Sequence, residues 1–171
     1  VAFAVAALTA VGFLADRLQS GLWRDARQLL GGDAVVVSDK PTPQVFMAEA
    51  VRRGLVTNTN TVFPTMARAT GADGASRLVA LKAVEPGYPL RGTLQVRRQP
   101  EAAQDAIPAQ GQVWVDEAVL DALDLQAGQP LALGDRALRI TGVIEREPDR
   151  GAGFMNFAPR VLMNAADLAS T

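Results

Sequence analysis

Residues 1–32 read VAFAVAALTAVGFLADRLQSGLWRDARQLLGG, and the reading of this stretch decides whether the rest of the chain is a free-standing domain or one carried on a membrane helix. Val1 to Ala15 holds no charge, and the first ionisable side chain is Asp16. A full membrane span takes roughly 20 apolar residues, so the run is somewhat short for one. Leu8, Val11, Leu14, Leu18, Leu22 and Leu29 recur at helical spacing, while Asp16, Arg17, Arg24, Asp25 and Arg27 fill much of the remaining surface. The predicted helix passes from apolar all round to amphipathic with no breaker stronger than Gly12 and Gly21, as a helix does when it leaves a bilayer and becomes a stalk. Gly31 and Gly32 supply the stop. The chain begins with Val, and no basic stretch precedes the apolar run as a secretory signal requires. The expectation is the outer end of a transmembrane helix that continues upstream. The competing expectation is an alanine-rich helix that forms the core of a soluble ligand-binding or hydrolase-like module.

Outward from the two glycines the chain reads as short alternating elements. Asp33 to Ser38 (DAVVVS) is a β-branched run suited to a buried strand. Thr42 and Pro43 read as N-cap and first turn of a helix over Gln44 to Arg53, stopped by Gly54. Thr61 to Thr70 and Arg77 to Val84 are two strands joined by a turn at Gly71 to Gly74, with Pro64 marking an edge or a bulge. After the loop Glu85 to Gly92 (EPGYPLRG), Thr93 to Arg97 is a strand, and Pro100 to Gly111 is a polar, proline-flanked excursion. Val113 to Val115 leads into a helix capped by Asp116 with Val119, Leu120, Leu123 and Leu125 on its apolar side. Pro130 to Leu133, the turn Gly134-Asp135, and Arg136 to Ile144 make a hairpin, with a bulge expected at Gly142.

Composition removes most catalytic chemistry. In 171 residues there is no histidine and no cysteine, so the usual neutral-pH acid-base group, thiolate nucleophiles, zinc ribbons, iron-sulfur ligation and disulfides are excluded. Lys plus Arg is 17 against 18 for Asp plus Glu, a balance that does not suit a phosphate backbone and argues against nucleic acid as a partner. Ser20, Ser38, Ser76 and Ser170 have no histidine to activate them, and neither Lys40 nor Lys82 sits in a pattern that brings a serine within reach. Glu145, Glu147 and Asp149 alternate with Arg146 and Arg150 and read as a solvated, charge-paired loop. Arg150 to Gly153 (RGAG) lacks the Lys and Ser/Thr of a phosphate loop and reads as a hinge. No catalytic, cofactor-binding or metal-binding residue is assigned.

Several strings, in order, carry a family likeness: LTAVG (8–12), RQLLGGD (27–33), KAVEPGYPLRG (82–92), VWVDE (113–117) and EPDRGAGF (147–154). They resemble the first extracytoplasmic domain of FtsX-like permeases of ABC transporters with MacB-like architecture, and in particular the YbbP-type branch. The resemblance covers nearly the whole chain, and GYPLRG and EPDRGAGF are its most specific parts. It implies an α+β fold with a long N-terminal helix that is the end of a transmembrane helix, a mixed α/β porter-like subdomain, and an inserted, small, mostly β (Sabre-like) subdomain. The corresponding boundaries are 1–30 for the transmembrane and stalk helix, 31–92 for the first part of the porter-like subdomain, 93–150 for the insertion, and 151–171 for a return to the porter that stops short. It further implies the bacterial inner membrane, with this domain in the periplasm, and an ABC-type ATPase subunit and the remaining permease helices as partners. A periplasmic esterase or lipase-like protein and a lipid or hydrophobic substrate are further implied partners.

On this division the loop 85–92 and the stretch 147–154 are the two crossings between subdomains. Pro86, Gly87, Gly92, Gly151 and Gly153 restrict or loosen the backbone there and are the expected hinge. Tyr88, the single tyrosine, and Phe154 are the expected contacts for a substrate or partner in the cleft, with a packed loop anchor as the alternative for Tyr88.

Overall fold

The computed structural model describes residues 2–71, 74–98, 106–150 and 157–171, with backbone alone for 2–8 and 23–29. A helix α1 (Ala2–Leu29) and a shorter α2 (Gln44–Arg52) precede the strands β1 (Asn60–Ala69), β2 (Ser76–Val84), β3 (Gln95–Arg98) and β4 (Gln112–Asp116). Helix α3 (Glu117–Leu123) follows, then β5 (Pro130–Leu133), β6 (Arg136–Arg146), β7 (Arg160–Asn164) and a terminal 3-10 turn, Ala165–Ser170.

Strand alternation dictates how these elements assemble. All seven strands join in one sheet of order β3-β6-β4-β7-β2-β1-β5, and β5 also pairs with β6. The sheet therefore closes on itself as a ring of six strands, with β3 added along the far half of β6. Pairs β2–β7 and β4–β6 are parallel and the rest antiparallel. One alternate set of side chains fills the ring: Ala67, Val79, Leu81, Val113, Val115, Leu131, Leu133, Leu138, Ile140, Val161 and Met163 are all fully buried. Helix α3 lays Val119, Leu120 and Leu123 on the same core. On the outer face a second cluster of Val84, Tyr88, Trp114, Ile144 and Leu162 lies beneath Leu94, Val96 and Ile107.

The expected bulge has a definite purpose in this arrangement. Val113 is opposite Ile140 but Trp114 is opposite Gly142, so Thr141 is the extra residue. Without that slip Val143 would point outward and Ile144 inward. A Cβ at Gly142 would lie 2.6 Å from Val96 Cγ1 and 2.7 Å from Trp114 Cδ1, so only glycine lets both side chains close over β6 there. Pro64 is likewise explained by pairing. Ala69 N–H bonds Ala75 across the hairpin, which makes Pro64 and Ala80 a non-bonded pair, and β5 reaches only Ala67 to Ala69. The missing N–H thus falls on the side of β1 where β5 does not extend.

Several expectations are corrected. Asp33 to Ser38 is no strand: it joins no ladder, and Val36 and Val37 are 89% and 88% exposed. A β-branched run needs a sheet to enter, and this ring closes without it. Pro43 rather than Thr42 is the N-cap residue of α2, and its side chain offers no cap. Asp116 does occupy the N-cap of α3, but its carboxylate does not cap the helix, because it is engaged elsewhere. β1 and β2 share a core with β4, β5 and β6 in this sheet. The alternative in which the N-terminal helix is core does not hold for its described side chains, since Val11, Phe13, Leu14, Leu18 and Leu22 are all at least 60% exposed. Among the described residues no helix is long and apolar enough to cross a membrane.

Candidate functional site: a buried ion cluster where two loops meet

Lys82 is the only charged residue in the otherwise apolar second half of β2, and period-two alternation turns it to the outer face of the ring. It does not reach solvent. Lys82 Nζ donates to Glu147 Oε1 at 2.9 Å, to Asp149 Oδ1 at 2.8 Å and to Tyr88 Oη at 2.9 Å, and it sits over the Tyr88 ring at 4.4 Å from the centroid. Tyr88 in turn donates its hydroxyl proton to Asp149. On the neighbouring parallel strand, Arg160 Nε donates to Glu147 Oε2 at 2.9 Å, and its backbone N–H donates to Asp116 Oδ2 at 2.8 Å. Arg150 pairs with Asp116 and closes the set.

Three cations, Lys82, Arg150 and Arg160, thus face three carboxylates, Asp116, Glu147 and Asp149. The side chains of Lys82, Glu147 and Arg160 are at most 4% exposed. Buried charges of this kind persist only when their partners are in place. Burial, with Glu147 and Asp149 beside it, pushes the Tyr88 phenol far above its ordinary range, so it remains a neutral hydrogen-bond donor.

The cluster brings the two most specific strings of the sequence together, KAVEPGYPLRG through Lys82 and Tyr88, and EPDR through Glu147, Asp149 and Arg150. Tyr88 is 3% exposed, so any outward contact by it requires this cluster to open. Gly87 and Gly92 both hold positive φ, and the start of the loop that carries them is tied down by Asn58, whose Nδ2 donates to the Glu85 and Pro86 carbonyls. Phe154, Gly151 and Gly153 lie outside the described residues. Glu147 is not the solvated group expected from its charge alternation: its partners are Lys82 and Arg160, not the adjacent Arg146. Sequence pattern alone does not bring Arg160, Asp116 and Lys82 to this site. The signal for Lys82 is a lone cation in an apolar strand, and for Arg160 a cation opening the apolar run Val161 to Met163. The described partners of Lys82 include no serine, and among the described residues no acidic group is arranged to hold a metal ion.

The site adjoins the end of α1. Arg91 N–H donates to the Gly31 carbonyl at 2.9 Å, and Arg91 Nη2 pairs with Asp33 at 2.9 Å. Gly31 has φ +66°, and a Cβ there would lie 2.8 Å from Asp149 Cβ.

The sequence model of the MacB-like periplasmic core domain matches residues 1–171. The chain belongs to the MacB-like periplasmic core domain family. It is 34% identical, over all 171 residues, to the uncharacterized ABC transporter permease YbbP of Escherichia coli (strain K12). That alignment takes in 100% of this chain but 20% of the relative, so the chain spans about a fifth of the length of the curated protein it matches. Among solved structures, the extracellular domain of the noncanonic ABC-type transporter YknZ from Gram-positive bacteria superposes with a TM-score of 0.48 at 13% identity, over 67% of this chain and 56% of that one. This periplasmic core domain therefore places its buried ion cluster at the junction of the ring with the end of its N-terminal helix.

Proposed function

We propose that this domain is the periplasmic part of an ABC transporter permease subunit of the bacterial inner membrane. In this reading it carries movement of membrane-embedded helices, through α1, to the ring of strands. ATP is hydrolysed by a separate ATPase subunit, and the remaining permease helices complete the membrane part. The observation that carries the reading is the family match over the whole chain, supported by identity to a permease along the full length of this domain. The exposed apolar residues of α1 suit a helix whose neighbours lie in the rest of such a permease.

The division at 31–92, 93–150 and 151–171 remains our reading of how the porter-like and inserted parts are apportioned along the chain, and the loop 85–92 and the stretch 147–154 remain the crossings between them. A lipid-like or hydrophobic substrate, or a periplasmic protein such as an esterase or lipase, fits the outer surface of the inserted part, with Tyr88 and Phe154 as contact candidates once the loops part. Reporter fusions at Asp39 and Asp135 in the full-length permease test the topology. Both are expected to report an exported location, and a cytosolic signal from either refutes it.

A further inference from the structure

We propose that Lys82, Tyr88 and Asp149 form a latch that holds the end of α1 against the ring, and that opening it frees residues 31–33 while the ring stays folded. This inference rests on the reading of α1 as the moving connection, and it supplies the fastening that such a connection needs.

The geometry carries it in three steps. Two points grip the segment after α1: the Arg91 N–H and guanidinium hold Gly31 and Asp33, and the Asp149 side chain lies directly under Gly31. Both points sit on loops, 85–92 and 147–150, and not on strands. The one ammonium of Lys82, itself fixed on β2, reaches into both loops at once, through Tyr88 and through Glu147 and Asp149. Loss of the Lys82 and Tyr88 bonds to Asp149 therefore loosens both grips together. The ring has its own apolar core, filled by the opposite faces of the strands, and does not depend on them. The described side chains of α1 from Thr9 to Ser20 are exposed, so the helix is not held through them.

The groups facing Asp149 are Lys82 from β2, Tyr88 from the 85–92 loop, and the backbone of Gly31. The glycine matters because its missing side chain is what allows so close a seat, and its positive φ strains any replacement.

Amide hydrogen exchange in the 171-residue chain tests the proposal. The reporter is the Arg91 amide, bonded to Gly31, and the reference is the Ile140 amide, bonded to Gln129 within the ring at 2.9 Å. Asp149→Asn and Gly31→Ala are each expected to speed Arg91 exchange at least about tenfold, equivalent to about 1.4 kcal/mol, while Ile140 changes less than about twofold. If Asp149→Asn does not fold, Tyr88→Phe, which removes one hydroxyl and no charge, carries the same comparison with a smaller expected rise at Arg91. Equal acceleration at both amides overturns the latch, because the cluster then supports the whole fold. Acceleration in Gly31→Ala with none in the Asp149 or Tyr88 variant overturns it as well. These results are independent of the topology reporters, whose failure overturns the transporter reading and leaves the latch standing.

Discussion

Replacing Glu147 by Gln changes one buried atom and one charge, and the structure sets the size of the effect. Lys82 approaches Oε1 and Arg160 approaches Oε2, each at 2.9 Å, in a side chain with no exposure. An amide has one oxygen, so whichever way the substituted side chain turns, its NH2 group faces a cation that is itself a donor. Lys82 keeps Asp149, but the Arg160 Nε loses its carboxylate within a site closed to water. Breaking a buried pair from one side costs about 3–5 kcal/mol, against a typical total stability of about 5–15 kcal/mol. With a urea m-value of about 2 kcal/mol/M the unfolding midpoint falls by about 1.5–2.5 M. The assay is equilibrium urea unfolding followed by tryptophan fluorescence. Glu145→Gln, at an exposed position of β6 two residues earlier, is the control and is expected to shift stability by less than about 0.5 kcal/mol. A Glu147→Gln midpoint that coincides with that of Glu145→Gln refutes the claim that this carboxylate is an internal counter-ion.

Two further outcomes follow from other parts of the molecule. Tyr88 is the single tyrosine and its folded pKa is raised, so above about pH 10 the unfolded chain releases a proton that the folded chain keeps, and stability falls by up to about 1.4 kcal/mol per pH unit. Tyrosinate absorbance is therefore expected only above the ordinary tyrosine range, and a titration centred near pH 10 in a chain that retains native fluorescence contradicts the buried-donor role. Gly142→Ala is expected to destabilise by about 1–3 kcal/mol, since its Cβ would lie 2.6 Å from Val96 and 2.7 Å from Trp114, and thermal unfolding measures the loss.

The local layer of this structure is legible in the sequence. The strands of the β1–β2 hairpin, the β5–β6 hairpin, the bulge before Gly142 and helix α2 are all written in alternation and turn residues. DAVVVS shows the limit of that reading, because propensity says that a segment suits a strand and not that a sheet has room for it. Ring closure is invisible for the same reason: it depends on β5 meeting both β1 and β6, a fact about distant partners. The ion cluster draws on positions 82, 88, 116, 147, 149, 150 and 160, and no window of sequence holds both sides of a pair between Lys82 and Glu147. A likeness in KAVEPGYPLRG and EPDRGAGF marks both loops as special. Only the fold shows that what they share is an ammonium group.

The position of β7 has a consequence for the order in which this domain can be made. It lies between β2 and β4, and it pairs Arg160 with Ala80, eighty residues earlier in the chain. During synthesis the β1–β2 hairpin and the β4 to β6 segment emerge well before the strand that joins them. Until residue 164 is available, β2 and β4 each present an open edge, the kind of surface that recruits strands from other chains. The nascent domain is therefore exposed to mispairing from the emergence of β2 onward, and that vulnerability ends only with the arrival of the five residues Arg160–Asn164.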